Sequence, residues 1–99
     1  MTTLSIECYK GVLYKQGSTI PVPYGYLGMK TITIGTSTAQ VALFTGTNIV
    51  SMTTDETVSV FYNFGSGSAT AATTDRPIKV NERLDRAVEG NNYIACIKA

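Results

Sequence analysis

Few groups in this chain could do chemistry. There is no histidine, so the side chain that most often serves as a general base near neutral pH is missing. The carboxylates are Glu7, Asp55, Glu56, Asp75, Glu82, Asp85 and Glu89, and most fall in or beside turn-forming stretches. Asp55 and Glu56 are adjacent in TTDETV, where the expected role is solvation of a turn. A glycosidase needs two carboxylates facing each other across a cleft, and no spacing here favours that. GSGS at Gly65–Ser68 has the look of a phosphate loop. A P-loop, however, needs GxxxxGK[ST], with its lysine reaching the phosphates, and this stretch has neither that lysine nor the third glycine of a dinucleotide fingerprint. Cys8 and Cys96 lie near opposite ends of the chain without CxxC spacing, so no metal site is expected. The reading is a non-enzyme with no catalytic residue, cofactor or metal.

Binding functions are narrowed in the same way. The net charge is +1 and charged residues make up 15% of the chain, against about 25% in an average domain. That balance gives no long-range pull towards nucleic acid or an anionic membrane. Tyr9, Lys10, Tyr14 and Lys15 come closest to the interleaved aromatic and basic residues of a single-strand binder. A sugar-binding module would have to stack on tyrosine, because tryptophan is absent. No apolar run approaches the ~20 residues of a membrane span. The start, MTTLSIECYKGV, has neither a basic n-region nor a long apolar stretch, so no signal peptide is expected. In a reducing compartment the two cysteines are expected as buried thiols, with a disulfide between terminal strands as the minority reading.

The elements that must position any site are strands. Fifteen threonines accompany many Val, Ile, Tyr and Phe residues, side chains that suit a pleated, half-buried surface. Leu4, Ile6 and Cys8 alternate, and Lys10-Gly11 reads as a tight turn into Val12–Tyr14. Ile32 and Ile34, then Val41 and Leu43, alternate again. Val58, Val60, Tyr62 and Phe64 form the clearest period of two. NYIACIKA is nearly continuous in apolar residues, as in a strand buried on both faces. Turn signals recur at Gly17-Ser18, Gly35-Thr36, Thr45–Asn48, Thr54–Glu56 and Gly90–Asn92. Only NERLDRAVEG, with Leu84 and Val88 four apart, could hold a helical turn. The expectation is an all-β fold: one antiparallel β-sandwich or jelly-roll-like barrel spanning residues 1–99 as a single domain.

Three segments remain as candidate protein interfaces. In TIPVPYGYLGMK, Pro21 and Pro23 lack an N–H, so the segment must run along an edge or cross between sheets. Tyr24 and Tyr26 there either lid the core or anchor a partner. The run Gly65–Thr74, which includes Gly67 and Thr70, has ten residues without a charge or a large side chain. Ordering it costs about 1–2 kcal/mol per residue, so it is either a mobile excursion or a surface laid flat on another subunit. Arg76, Lys79, Arg83 and Arg86 follow among Asp75, Glu82 and Asp85, as in the mixed-charge rim of an interface.

The stretches TITIGTSTAQVALF, VSVFYNFGSGSATAATT and NYIACI, in that order, resemble small structural virion proteins of tailed bacteriophages. The resemblance covers roughly Met29–Ile97 and transfers no active residues. It implies a small β-sandwich or jelly roll located in the virion. The expected role is a capsid decoration (cement) subunit bound to the major capsid protein or other virion proteins, and associated as a dimer or trimer. A head–tail connector, tail or baseplate component is the first alternative, and a carbohydrate-binding module for host attachment the second.

Overall fold

The computed structural model describes residues 2–14, 21–80 and 82–99. Eight strands follow in chain order: β1 (Thr3–Tyr14), β2 (Pro21–Thr33), β3 (Ala39–Ala42), β4 (Ile49–Thr54), β5 (Val60–Gly65), β6 (Arg76–Ile78), β7 (Leu84–Ala87) and β8 (Tyr93–Lys98). They form two four-stranded sheets. Sheet A has the order β2-β1-β4-β7 and sheet B the order β3-β8-β5-β6. Every neighbouring pair is antiparallel. If β1 followed β8 instead of leading into β2, this order would be that of an eight-stranded jelly roll.

Side chains that alternate along the strands turn one face of each sheet inward against the other. Leu4, Ile6 and Cys8 of β1, Val50 and Met52 of β4, Val60 and Tyr62 of β5, and Ile94 and Cys96 of β8 meet in one core. A fully buried Leu, Ile or Val contributes about 1.5–3 kcal/mol, so this one cluster dominates stability. Cys8 and Cys96 are buried free thiols. Burial raises both above the ordinary thiol range, Cys96 to about 11.

Two sequence expectations are corrected. Lys10-Gly11 is not a turn, because β1 runs unbroken to Tyr14 with a bulge between Cys8 and Tyr9. The described residues of NERLDRAVEG hold no helical turn, because Leu84–Ala87 pairs with β4 as strand β7. There Leu84 meets Met52 across the ladder and packs on the core, so sheet pairing overrides a weak helical spacing. Gly17-Ser18 and Lys15 lie outside the described residues.

The closed side of the sandwich lies between β2 and β3. The Phe44 ring takes the space a side chain on Gly28 would need, 2.8 Å from that Cβ position, and the Lys30 ammonium sits 4.3 Å from the ring centre. Glu56 ties together the ends of β1 and β8. It is 6% exposed, accepts from the Thr2 hydroxyl at 2.5 Å and from the Val58 amide at 3.2 Å, and pairs with Lys98 at 3.5 Å. The Thr2 hydrogen bond, then the Val58 amide and Lys98, hold its carboxyl below the usual range. Of the adjacent acids in TTDETV, Asp55 is the exposed one, and solvation does not describe Glu56.

Candidate interaction surface

The outer faces of the two sheets differ. On sheet B the run after Gly65 folds back over its own sheet. Ala69 and Ala71 are buried against Ala95 of β8, with Tyr93 and Ile97 packed alongside. Side chains of the sheet and its connections hold the crossing backbone. The Ala69 amide donates to Gln40 Oε1 at 2.7 Å, the Ala71 amide to Thr38 Oγ1 at 2.9 Å and the Gly67 amide to Asn92 Oδ1 at 2.8 Å. Asn63 Nδ2 donates to the Thr70 carbonyl at 3.1 Å. Small side chains are needed because the strap lies directly on the pleat. A Cβ on Gly65 would fall 1.9 Å from the Ser68 carbonyl oxygen. The run is thus held against its own sheet by contacts within the chain. The same strap explains the unbroken apolar character of β8, whose Ala95 points outward and is still fully buried.

Sheet A carries no such cover among the described residues. Its outer face is read across the ladder in rows: Tyr26, Tyr9, Ile49 and Ala87, then Met29, Glu7, Ser51 and Asp85, then Thr31, Ser5 and Thr53. Tyr26 and Tyr9 pack edge to face with centroids 5.5 Å apart. Tyr9 donates to Glu7 at 2.7 Å, and that bond raises the phenol above its ordinary range. Arg83 donates to Tyr9 Oη at 3.4 Å and to Ser51 Oγ at 3.0 Å, and lies 3.6 Å from Glu7. Ser51 in turn donates to Asp85. A hydrogen-bonded polar cluster therefore sits beside an aromatic row.

The exposed apolar residues gather at one end of this face. Val22, Tyr24, Tyr26 and Met29 of β2 are 42%, 44%, 60% and 51% exposed. They are four of the six exposed large hydrophobic side chains among the described residues. β1 pairs with β4 only over Leu4–Tyr9, whereas its pairing with β2 continues to Tyr14↔Pro21. Beyond Tyr9 the hairpin is a two-stranded arm, and the molecule measures 43 × 28 × 22 Å. Such a ribbon is marginal alone in water. A proline in a ladder is tolerated where its missing N–H faces away from the partner strand, so Pro21 and Pro23 remove donors from the open edge of β2. The arm can then be recognised by its side chains more readily than by strand addition.

A third feature is a cleft between β6 and β7 on the side away from Phe44, about 500 Å³ in volume. Tyr62, 1% exposed, lines it, and the Tyr62 hydroxyl has no hydrogen-bond partner. A buried orphan of this kind costs about 1–3 kcal/mol.

Comparison with protein-family models, curated proteins and solved structures finds no match.

The expected interface residues fall into separate places. Tyr24, Tyr26 and Arg83 share the outer face of sheet A, joined through Tyr9. Tyr24 and Tyr26 do not lid the core, since both belong to an edge strand and point outward. Gly65, Gly67 and Thr70 belong to the strap on the opposite sheet. Arg76 lines the cleft. Lys79 is exposed just beyond β6, and Arg86 donates to the Asp85 carbonyl at 2.9 Å on edge strand β7. Val22 and Met29 were not singled out from the sequence, and Tyr9 stood out only in a nucleic-acid pattern, not as a protein contact. The alternation Val22-x-Tyr24-x-Tyr26 was the available signal for Val22. Met29 is hidden because the ladder skips Leu27 there, which breaks the period of two.

Proposed function

We propose that this chain is a structural assembly subunit that docks on a protein shell through the outer face of sheet A and its arm. The observation that carries the reading is the cluster Val22, Tyr24, Tyr26 and Met29, exposed beside the hydrogen-bonded Arg83–Tyr9–Glu7 group on a face left open among the described residues. Aromatic anchors flanked by an arginine are the composition of interface hot spots. A net charge of +1 suits adhesion to protein. Together with the sequence resemblance, this supports a phage capsid decoration subunit that bridges major capsid proteins and stabilises the shell by mass action. An interface of roughly 800 Å² per partner is the size required. A dimer or trimer formed through the arm would use its side chains, because the prolines blunt the arm's edge.

The test is the molar ratio of this chain to the major capsid protein in purified particles, by quantitative mass spectrometry. A ratio near one, or a simple fraction of it, is expected. A ratio of a few per cent would move the chain to the neck, tail or baseplate, and absence from the particle would overturn the proposal.

A further inference from the structure

The cleft between the edge strands β6 and β7 matches none of the needs of a docking face. Its volume of about 500 Å³ lies inside the range of small-molecule sites. Three observations converge on it. The Tyr62 hydroxyl in its wall is buried and unpartnered. Glu89, on the opposite wall, is the one non-glycine among the described residues with positive φ, at 53°. It is held there by a turn in which the Asn91 amide donates to the Val88 carbonyl at 3.0 Å and Gly90 has φ 82°. Asn, Asp or Gly is the usual occupant of such a position, and strain of this kind gathers at ligand sites. Arg76, on the β6 side, makes no side-chain hydrogen bond or ion pair among the described residues.

We propose that this cleft binds one neutral sugar residue. The walls carry both signs of charge, Arg76 against Asp75 and Glu89. An anion would face the two carboxylates, and a cation would face the guanidinium. Sugar hydroxyls both donate and accept, so one ring can pair with Arg76, Glu89 and the second oxygen of Asp75, and with the Tyr62 hydroxyl once the side chains that seal it from water move aside. Asp75 Oδ2 is already engaged by the Ala72 amide at 2.7 Å. Phe64, half-buried and edge-on to Tyr62 at 5.7 Å, supplies apolar surface for the C–H face of a ring. This site lies apart from Tyr24 and Tyr26, and its failure would leave the docking proposal standing.

The experiment is an amide-shift titration of the isotope-labelled chain with D-glucose, D-galactose, D-mannose and N-acetyl-D-glucosamine. Each sugar is taken to about 100 mM, enough to detect the millimolar affinity of a one-sugar site. Saturable shifts at Arg76, Glu89 and Asn91 are expected with at least one sugar. Tyr62→Phe removes an unsatisfied hydroxyl and Glu89→Gly relieves the backbone, so each should raise Tm by about 4 °C. Each should also weaken sugar binding about tenfold. No saturable shift in the cleft with any of the four sugars would overturn the proposal. So would binding that both variants leave unchanged.

Discussion

Sheets A and B bury equivalent inner faces, yet their outer faces are finished differently. On sheet B, a strap of small residues lies on the pleat and its amides are taken up by Gln40, Thr38 and Asn92. On sheet A, the same level of the molecule carries tyrosines, a methionine and an ion-paired arginine, with no segment laid over them among the described residues. Residue size tells the two apart. Alanine and glycine permit backbone to rest on backbone and so complete the fold. Tyrosine and methionine hold a second layer away and leave surface for another molecule. Substitutions on sheet B should therefore register in stability, and those on sheet A in binding.

The largest effect is expected from Ala95→Asp, which would bury an unpaired charge beneath the strap. A loss of at least ~3 kcal/mol in urea unfolding is expected. A change under about 0.5 kcal/mol would mean that the strap lifts freely and that the contrast between faces is false. Gly65→Ala comes next. Its Cβ would meet the Ser68 carbonyl at 1.9 Å, so the strap must shift, at a cost of about 2 kcal/mol. Faster exchange of the Ala69 and Ala71 amides should accompany that loss.

Glu56 gives a smaller, pH-dependent effect. Its folded carboxyl lies below the usual range. Its contribution is therefore present above the ordinary carboxylate value and lost as pH falls through the depressed one. Glu56→Gln should flatten the acid side of the stability profile, and an unaltered profile would remove Glu56 as the tie between β1 and β8. The smallest change in stability is expected on sheet A. Tyr24→Ser should change stability by no more than about 0.5 kcal/mol, and Tyr26→Ser only by the loss of its edge-to-face contact with Tyr9, about 0.5–1.5 kcal/mol, while both lower particle occupancy. Destabilisation beyond these values would make these tyrosines part of the fold.

The all-β class and the two-sided burial of NYIACI were legible because alternation and apolar continuity are local signals. Two missing N–H groups kept TIPVPYGYLGMK out of a sheet interior but left an edge strand and a crossover both open, and the pairing of β2 with β1 decides for the edge. The strap was not legible as a strap. Its partner, Ala95, stands more than twenty residues away, and small side chains mark close approach without saying to what. A carboxylate beside a turn is ordinarily solvated, so burial of Glu56 followed only once Thr2 and Lys98 were brought together. Arg83 could be named as an interface residue, but its link to Tyr26 runs through Tyr9, on a strand whose bulge changes the register.

The most direct test is hydrogen exchange of the chain free and bound to the particle, residue by residue. The account predicts new protection over 22–29 and at Tyr9 on sheet A, with residues 66–72 equally protected in both states. Protection gained over 66–72, with none over 22–29, would contradict it and make the strap the docking surface.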